Sequence, residues 1–196
     1  MNRDTIPFWR RRRDVLIVGF FLLNLCFITY MVDIEQLIIP DPSHFTYPIW
    51  PPRFMVDVVH WYGRTFDPLL IARPVWWKMT ILIDALFFGP FYVIATYAYV
   101  KGKEWIRVPS FIYASALITI TTIILGEELY GPFASPQLPI VLLLNAPWIL
   151  MPLFIIVRMW RAPQPFTRDA AQATAERIGI TSQMNHEVVS SNQVAG

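Results

Sequence analysis

The chain has 196 residues, of which 55% are apolar and 15% charged, with a net charge of +2 and one cysteine. So small a charge, with no basic stripe interleaved with aromatics outside the apolar blocks, excludes nucleic-acid binding, and one cysteine excludes an intramolecular disulfide framework. The apolar residues gather into four blocks that meet the length of about 20 residues needed to cross a bilayer. The sequence therefore predicts an all-α, polytopic membrane protein: a four-transmembrane-helix bundle with a lumenal capping loop.

Residues 1–14 form a basic N-terminus that ends in Arg10, Arg11, Arg12 and Arg13. The first span, 15–39, is too long for the apolar region of a cleaved signal and ends in Tyr30, Met31, Val32 and Asp33 with no small-x-small cleavage site, so it is expected to stay. Cys26 inside it reads as packing. The connector from Pro40 to Val75 carries seven prolines, which forbid a continuous helix, and enough aromatics to pack as a cap rather than run free. Within it Phe54 to Tyr62 suits a short amphipathic helix, and Asp67 before Pro68 has the order of an N-cap followed by a first helical residue, with a functional role as the alternative.

The second span, 76–100, contains Asp84 and Pro90; the third, 108–125, contains Ser115, Thr119 and Thr122; the fourth, 138–160, contains Asn145, Pro147 and Pro152. Glu127 and Glu128 are placed in the third connector. Residues 15–160 make one membrane domain, and 161–196 a cytosolic tail expected to be disordered after Arg168, with a frayed helix around 170–178. Lys101, Lys103, Arg107, Arg158 and Arg161 join the N-terminal arginines on the cytosolic side by the positive-inside rule, which puts both termini in the cytosol. Trp76, Trp77, Tyr97, Tyr99, Trp105, Tyr130 and Trp160 fit interfacial belts. His44 and His60 fall in the cap and His186 in the tail, so no metal is expected, and no fingerprint for an organic cofactor is present.

Asp84 is the residue that stands out, because an aspartate at mid-membrane costs about 2.5–3.5 kcal/mol on insertion scales and is retained where it faces a partner or a cavity. Its partner follows from depth. Asp33 lies six residues before Ile39 and Asp84 eight after Trp76, roughly 9 and 12 Å below the same surface at the helical rise. Two carboxyls meeting in a low-dielectric site cannot both ionise cheaply, so the pair should share a proton, which suits binding an amine or moving a proton between carbons. The simpler alternative has Asp84 bonding a hydroxyl on the third span and Asp33 wetted at the interface. Pro90, Pro147 and Pro152 bend their helices and open space. Ser115, Thr119 and Thr122 give the third span one polar stripe, and Asn145 an amide on the fourth, serving either as interhelical glue or as ligand contacts.

The run Phe66-Asp67-Pro68-Leu69-Leu70, then Pro74-Val75-Trp76-Trp77-Lys78 to Asp84, resembles the EXPERA superfamily, which joins the sigma-2 receptors to the emopamil-binding sterol isomerases. So do Pro90-Phe91, Ile94 to Ala98, Lys101 to Pro109, Ile112-Tyr113 and Ala146-Pro147. The resemblance implies a four-helix endoplasmic-reticulum protein whose lumen-side pocket takes sterols and cationic amphiphiles. It implies that Asp33 is the ligand-pairing acid, that Asp84 replaces a family glutamate, and that Asp67 supports the pocket. Phe88 stands where the family has glutamine, Ala116 where it has histidine and Asn145 where it has tyrosine, so the pocket is altered.

These readings make Asp33 and Asp84 the candidate catalytic pair and Asp33, Asp67, Asp84, Ser115, Thr119 and Asn145 the candidate ligand contacts. The expected ligand is a sterol or other apolar, terpenoid-like lipid, bound or isomerised by acid and base, with cyclisation as a variant; a homodimer is left open. The competing function is a non-catalytic sterol-sensing or trafficking adaptor. A proton-coupled transporter fits less well, because four helices without an evident internal repeat offer little for alternating access.

Overall fold

The computed structural model describes residues 4–161 and 164–168, and the tail expected after Arg168 lies outside the described residues. Four helical spans are long and apolar enough to cross a membrane: Arg12–Ile38, Val75–Lys101, Glu104–Tyr130 and Leu138–Trp160. The chain is thus an integral, multi-pass membrane protein with the four-helix architecture that its composition predicts. The first and second spans pack against each other, as do the third and fourth. Gly89 lets the first pair approach closely, since a Cβ there would lie 2.6 Å from the Tyr30 hydroxyl. The second span ends at Gly102, which turns the chain at φ +62°, a conformation that costs glycine little.

Because lipid is as apolar as the side chains, packing and interhelical hydrogen bonds must hold such helices together. Phe21, wholly buried, meets Phe91, Tyr92, Tyr99 and Tyr113 at centroid distances of 5.5–5.8 Å. Each well-oriented aromatic pair adds about 0.5–1.5 kcal/mol beyond burial, so this cluster links the first, second and third spans. Trp148 joins the fourth to the first by donating its indole N–H to Asn24 Oδ1 at 2.9 Å.

At the arginine-rich end, Asp14 is fully buried and receives Arg11 at 2.9 Å and Arg158 at 3.0 and 3.2 Å. Residues Thr167–Arg168 pair antiparallel with Asp4–Thr5, and the wholly buried Phe166 donates its N–H to Glu104 at 3.0 Å. The stretch after the fourth span therefore returns to close this end of the bundle.

At the other end the connector forms the expected cap. Its helix, Arg53–Thr65, is longer than the sequence pattern suggested and turns Met55, Val56, Val59 and His60 inward. The cap is tied down by a buried charge cluster. Glu35 accepts Arg73 at 2.8 and 3.1 Å and lies 2.9 Å from His60 Nε2, while Arg73 also donates to the carbonyls of Leu70 and Ile39.

Several expectations change on the structure. Glu127 and Glu128 belong to the last turn of the third span, not to a connector, because Glu128 turns inward (1% exposed) and Glu127 accepts the Phe133 N–H. Trp77 and Tyr99 are core residues rather than belt residues: Trp77 donates to Gln36 at 2.7 Å and Tyr99 bonds Ser110. Tyr97, Trp105, Tyr130 and Trp160 are exposed at the flanks. Cys26 faces outward instead of packing inside.

Candidate functional site

The first two spans each interrupt their regular helix where the acids stand. From Asn24 to Asp33 the first span is wound in wider turns, and the Ile34 N–H bonds the Thr29 carbonyl, five residues back. The second span does the same from Asp84 to Phe88, with the Gly89 N–H on the Asp84 carbonyl. Pro90 explains the second case: it has no N–H for the carbonyl four residues back, and its ring would clash with a regular turn. In the first, the Tyr30 carbonyl is taken by the Trp50 indole at 2.6 Å, an outside donor that suits a loosened turn. Such wide turns recur at functional sites.

These turns bring Asp33 and Asp84 to face each other, both half-buried. Thr29 donates its hydroxyl to Asp84 Oδ2, and Tyr92 donates to Asp84 Oδ1 at 3.2 Å. Tyr113 in turn donates to the Tyr92 hydroxyl at 3.4 Å. Two carboxyls placed together can hydrogen-bond to each other only when one of them carries a proton. Asp84 is held by neighbours on three sides. Asp33, at the end of the wide turns, has Asp84 as its facing group.

Asp67 is not part of this pair. It is 4% exposed, and its Oδ1 accepts the Leu69 N–H at 3.1 Å, as the capping reading expects. It also lies against Glu128, neither of whose oxygens receives an N–H or other donor among the described residues. A proton shared between the two carboxyls gives one of the Glu128 oxygens a partner. Burial pushes the Asp67 carboxyl above the usual carboxylate range, and contacts with Glu128 and with the backbone N–H groups of Leu69 and Leu70 oppose it. Burial likewise pushes the neighbouring Tyr62 up to about 12, with Asp67 and Glu128 adding to the rise. A second acid pair thus pins the cap to the third span.

The polar stripe does not reach the Asp33–Asp84 pair. Ser115 and Thr119 are exposed, and Thr119 and Thr122 donate to carbonyls of their own helix, at Ser115 and Ile118. A helix surrounded by lipid satisfies its hydroxyls this way at no cost in interhelical contact. Asn145 donates to the Val141 carbonyl at 3.0 Å, inside its own helix and next to the break before Pro147. The third span offers Tyr113 to the acid network instead. Sequence reasoning passed over Thr29, Tyr92 and Tyr113, although Thr29 precedes Asp33 by four residues and Tyr92 follows Asp84 by eight, both spacings that return to the same helix face.

The family described as EXPERA (EXPanded EBP superfamily) matches residues 54–159, which take in Asp67 and Asp84. Over 172 residues the chain is 31% identical to sigma intracellular receptor 2 of Macaca fascicularis, covering 81% of this chain and 93% of the relative. The human protein of the same name is 31% identical over 167 residues, covering 78% and 90%. That of Xenopus tropicalis is 29% identical over 156, covering 74% and 86%.

Proposed function

The chain belongs to the EXPERA superfamily, and from that premise we propose that it binds a sterol or terpenoid-like apolar lipid at the Asp33–Asp84 pair, in the endoplasmic-reticulum membrane with both termini cytosolic. The observation that carries this reading is the meeting of the two carboxyls across the first and second spans, with Thr29 and Tyr92 donating to Asp84. A proton-sharing pair among apolar helices can meet a ligand in either of two ways. Its negative charge can pair with a cationic group, or its proton can pass to a double bond or an oxygen while the conjugate carboxylate removes a proton from a neighbouring carbon. The second route makes the protein an isomerase, or a cyclase if the cation is trapped by the ligand itself. Among the candidate contacts Asp33 and Asp84 hold the ligand, and Asp67 acts on the site through the cap.

A binding or sensing protein without turnover is the second reading, favoured by the receptor name that the relatives carry. Lipid mass spectrometry on detergent-purified wild type and Asp84→Asn separates the two. Conversion of a co-purified or added sterol by wild type alone supports the isomerase. Equal carriage of unconverted lipid by both supports a sensor, and absence of any lipid from wild type overturns the lipid site.

A further inference from the structure

We infer that the segment from Tyr47 to Trp61 is a wedge that lies in the bilayer, inserting Ile49, Trp50, Phe54, Val58 and Trp61 into the lipid of the leaflet at the capped end. The first ground is depth. The Trp50 indole bonds the Tyr30 carbonyl at 2.6 Å, and Tyr30 lies eight residues before Ile38, where the first span ends. At the helical rise that is roughly 12 Å below the end of the span, whereas the headgroup layer on each side of a bilayer is about 5–7 Å thick. The connector therefore descends the flank of the first span to the edge of the hydrocarbon instead of resting above it.

The second ground is exposure. Ile49 is wholly exposed at 102%, and Phe54 (63%), Val58 (47%) and Trp61 (59%) follow at i, i+4 and i+7 along one side of the cap helix, whose other side packs on the bundle. On the first span Tyr30, whose carbonyl the Trp50 indole meets, and Phe27 are also exposed. The third ground is the backbone. Non-helical chain in lipid must not carry unanswered N–H groups, and Pro48, Pro51 and Pro52 remove three of the five donors between residues 48 and 52. The one side-chain donor in this stretch, the Trp50 indole N–H, is answered by the Tyr30 carbonyl. The polar groups fit the headgroup level: Arg53 stacks on the Tyr47 ring at 4.3 Å, and Tyr47 donates to Asp57 at 2.7 Å. A stripe of apolar side chains bordered by arginine is the arrangement of a helix that lies in the interface plane.

The experiment uses the full chain in proteoliposomes, with Cys26→Ala to remove the native thiol and single cysteines at Ile49, Phe54 and Ser43. Ile49 and Phe54 are exposed, so replacing them removes little packing, and Ser43 is an exposed position at the same end that reports reagent access. Ile49→Cys and Phe54→Cys should react with a water-soluble maleimide about tenfold or more slowly than Ser43→Cys, and a bimane attached at either should be quenched by lipids brominated on their acyl chains. Reaction as fast as at Ser43 would overturn the inference. So would slow reaction without quenching, which would mean that protein, such as a second copy of the chain, covers this face.

Discussion

Asp84 is the hub of the acid network, and the consequences of changing its neighbours can be ranked. Thr29 and Tyr92 each donate to one of its oxygens, and a hydrogen bond to a charged group contributes about 1.5–3 kcal/mol. Thr29→Val or Tyr92→Phe should therefore weaken ligand capture by about tenfold or more, read by radioligand or fluorescent-sterol binding, while the protein still purifies as a folded species. Tyr113→Phe, one step further from the acids, should have the smaller effect. Asp67 gives a different prediction. Its folded carboxyl holds its proton more tightly than it would in the unfolded chain, because it is buried. Between the ordinary carboxylate range and its raised range the folded state then binds more protons, so this group's contribution to stability is complete at low pH and is lost as pH rises. Thermal melts should show stability falling over that window, and Asp67→Asn should flatten the slope. Asp33 and Asp84 could be found in the sequence because an acid within an apolar block is anomalous. Thr29 and Tyr92 share a helix face with the acids by spacing, but threonine and tyrosine are ordinary in a membrane helix, so only the packing singles them out and adds Tyr113.

At the scale of elements, the wide turns and the cap have separate causes and separate tests. Glu35 and Arg73 form an ion pair that is shut away from solvent, and His60 shares the same carboxylate. Removing one member strands the other, which costs about 3–5 kcal/mol. Glu35→Gln should accordingly lower the melting temperature sharply and make the connector sensitive to protease near Arg64. Pro90→Ala restores an N–H to the second span and permits a regular turn, which would rotate Asp84 relative to Asp33. It should reduce ligand binding without a matching loss of thermal stability, a split that a simple packing defect does not give. The amphipathic cap helix was legible because its apolar spacing stands clear of the prolines on either side. The extra turn of the third span was not, since Glu127 and Glu128 read as a polar boundary until Asp67 is seen to meet Glu128. Glu35 was overlooked for a similar reason: near the end of an apolar block an acid looks solvated, and its partners lie 25 and 38 residues further on.

For the whole molecule, the two ends of the membrane domain are joined. Phe166 sits wholly buried beside Tyr99, with the guanidinium of Arg11 over its ring at 5.0 Å, and Arg158 reaches both Asp14 and the Pro165 carbonyl. Truncating a buried phenylalanine costs about 3–5 kcal/mol, so Phe166→Ala should destabilise the bundle in detergent melts as much as a core substitution within a span would.

This closure also dictates an order of events during synthesis. The first span emerges with Asp14 held only by Arg11, three residues before it, and the second partner, Arg158, follows 144 residues after the aspartate, with residues 164–168 after that. Until then the aspartate has only one of its two arginines. The clasp can therefore close only after all four spans have been made.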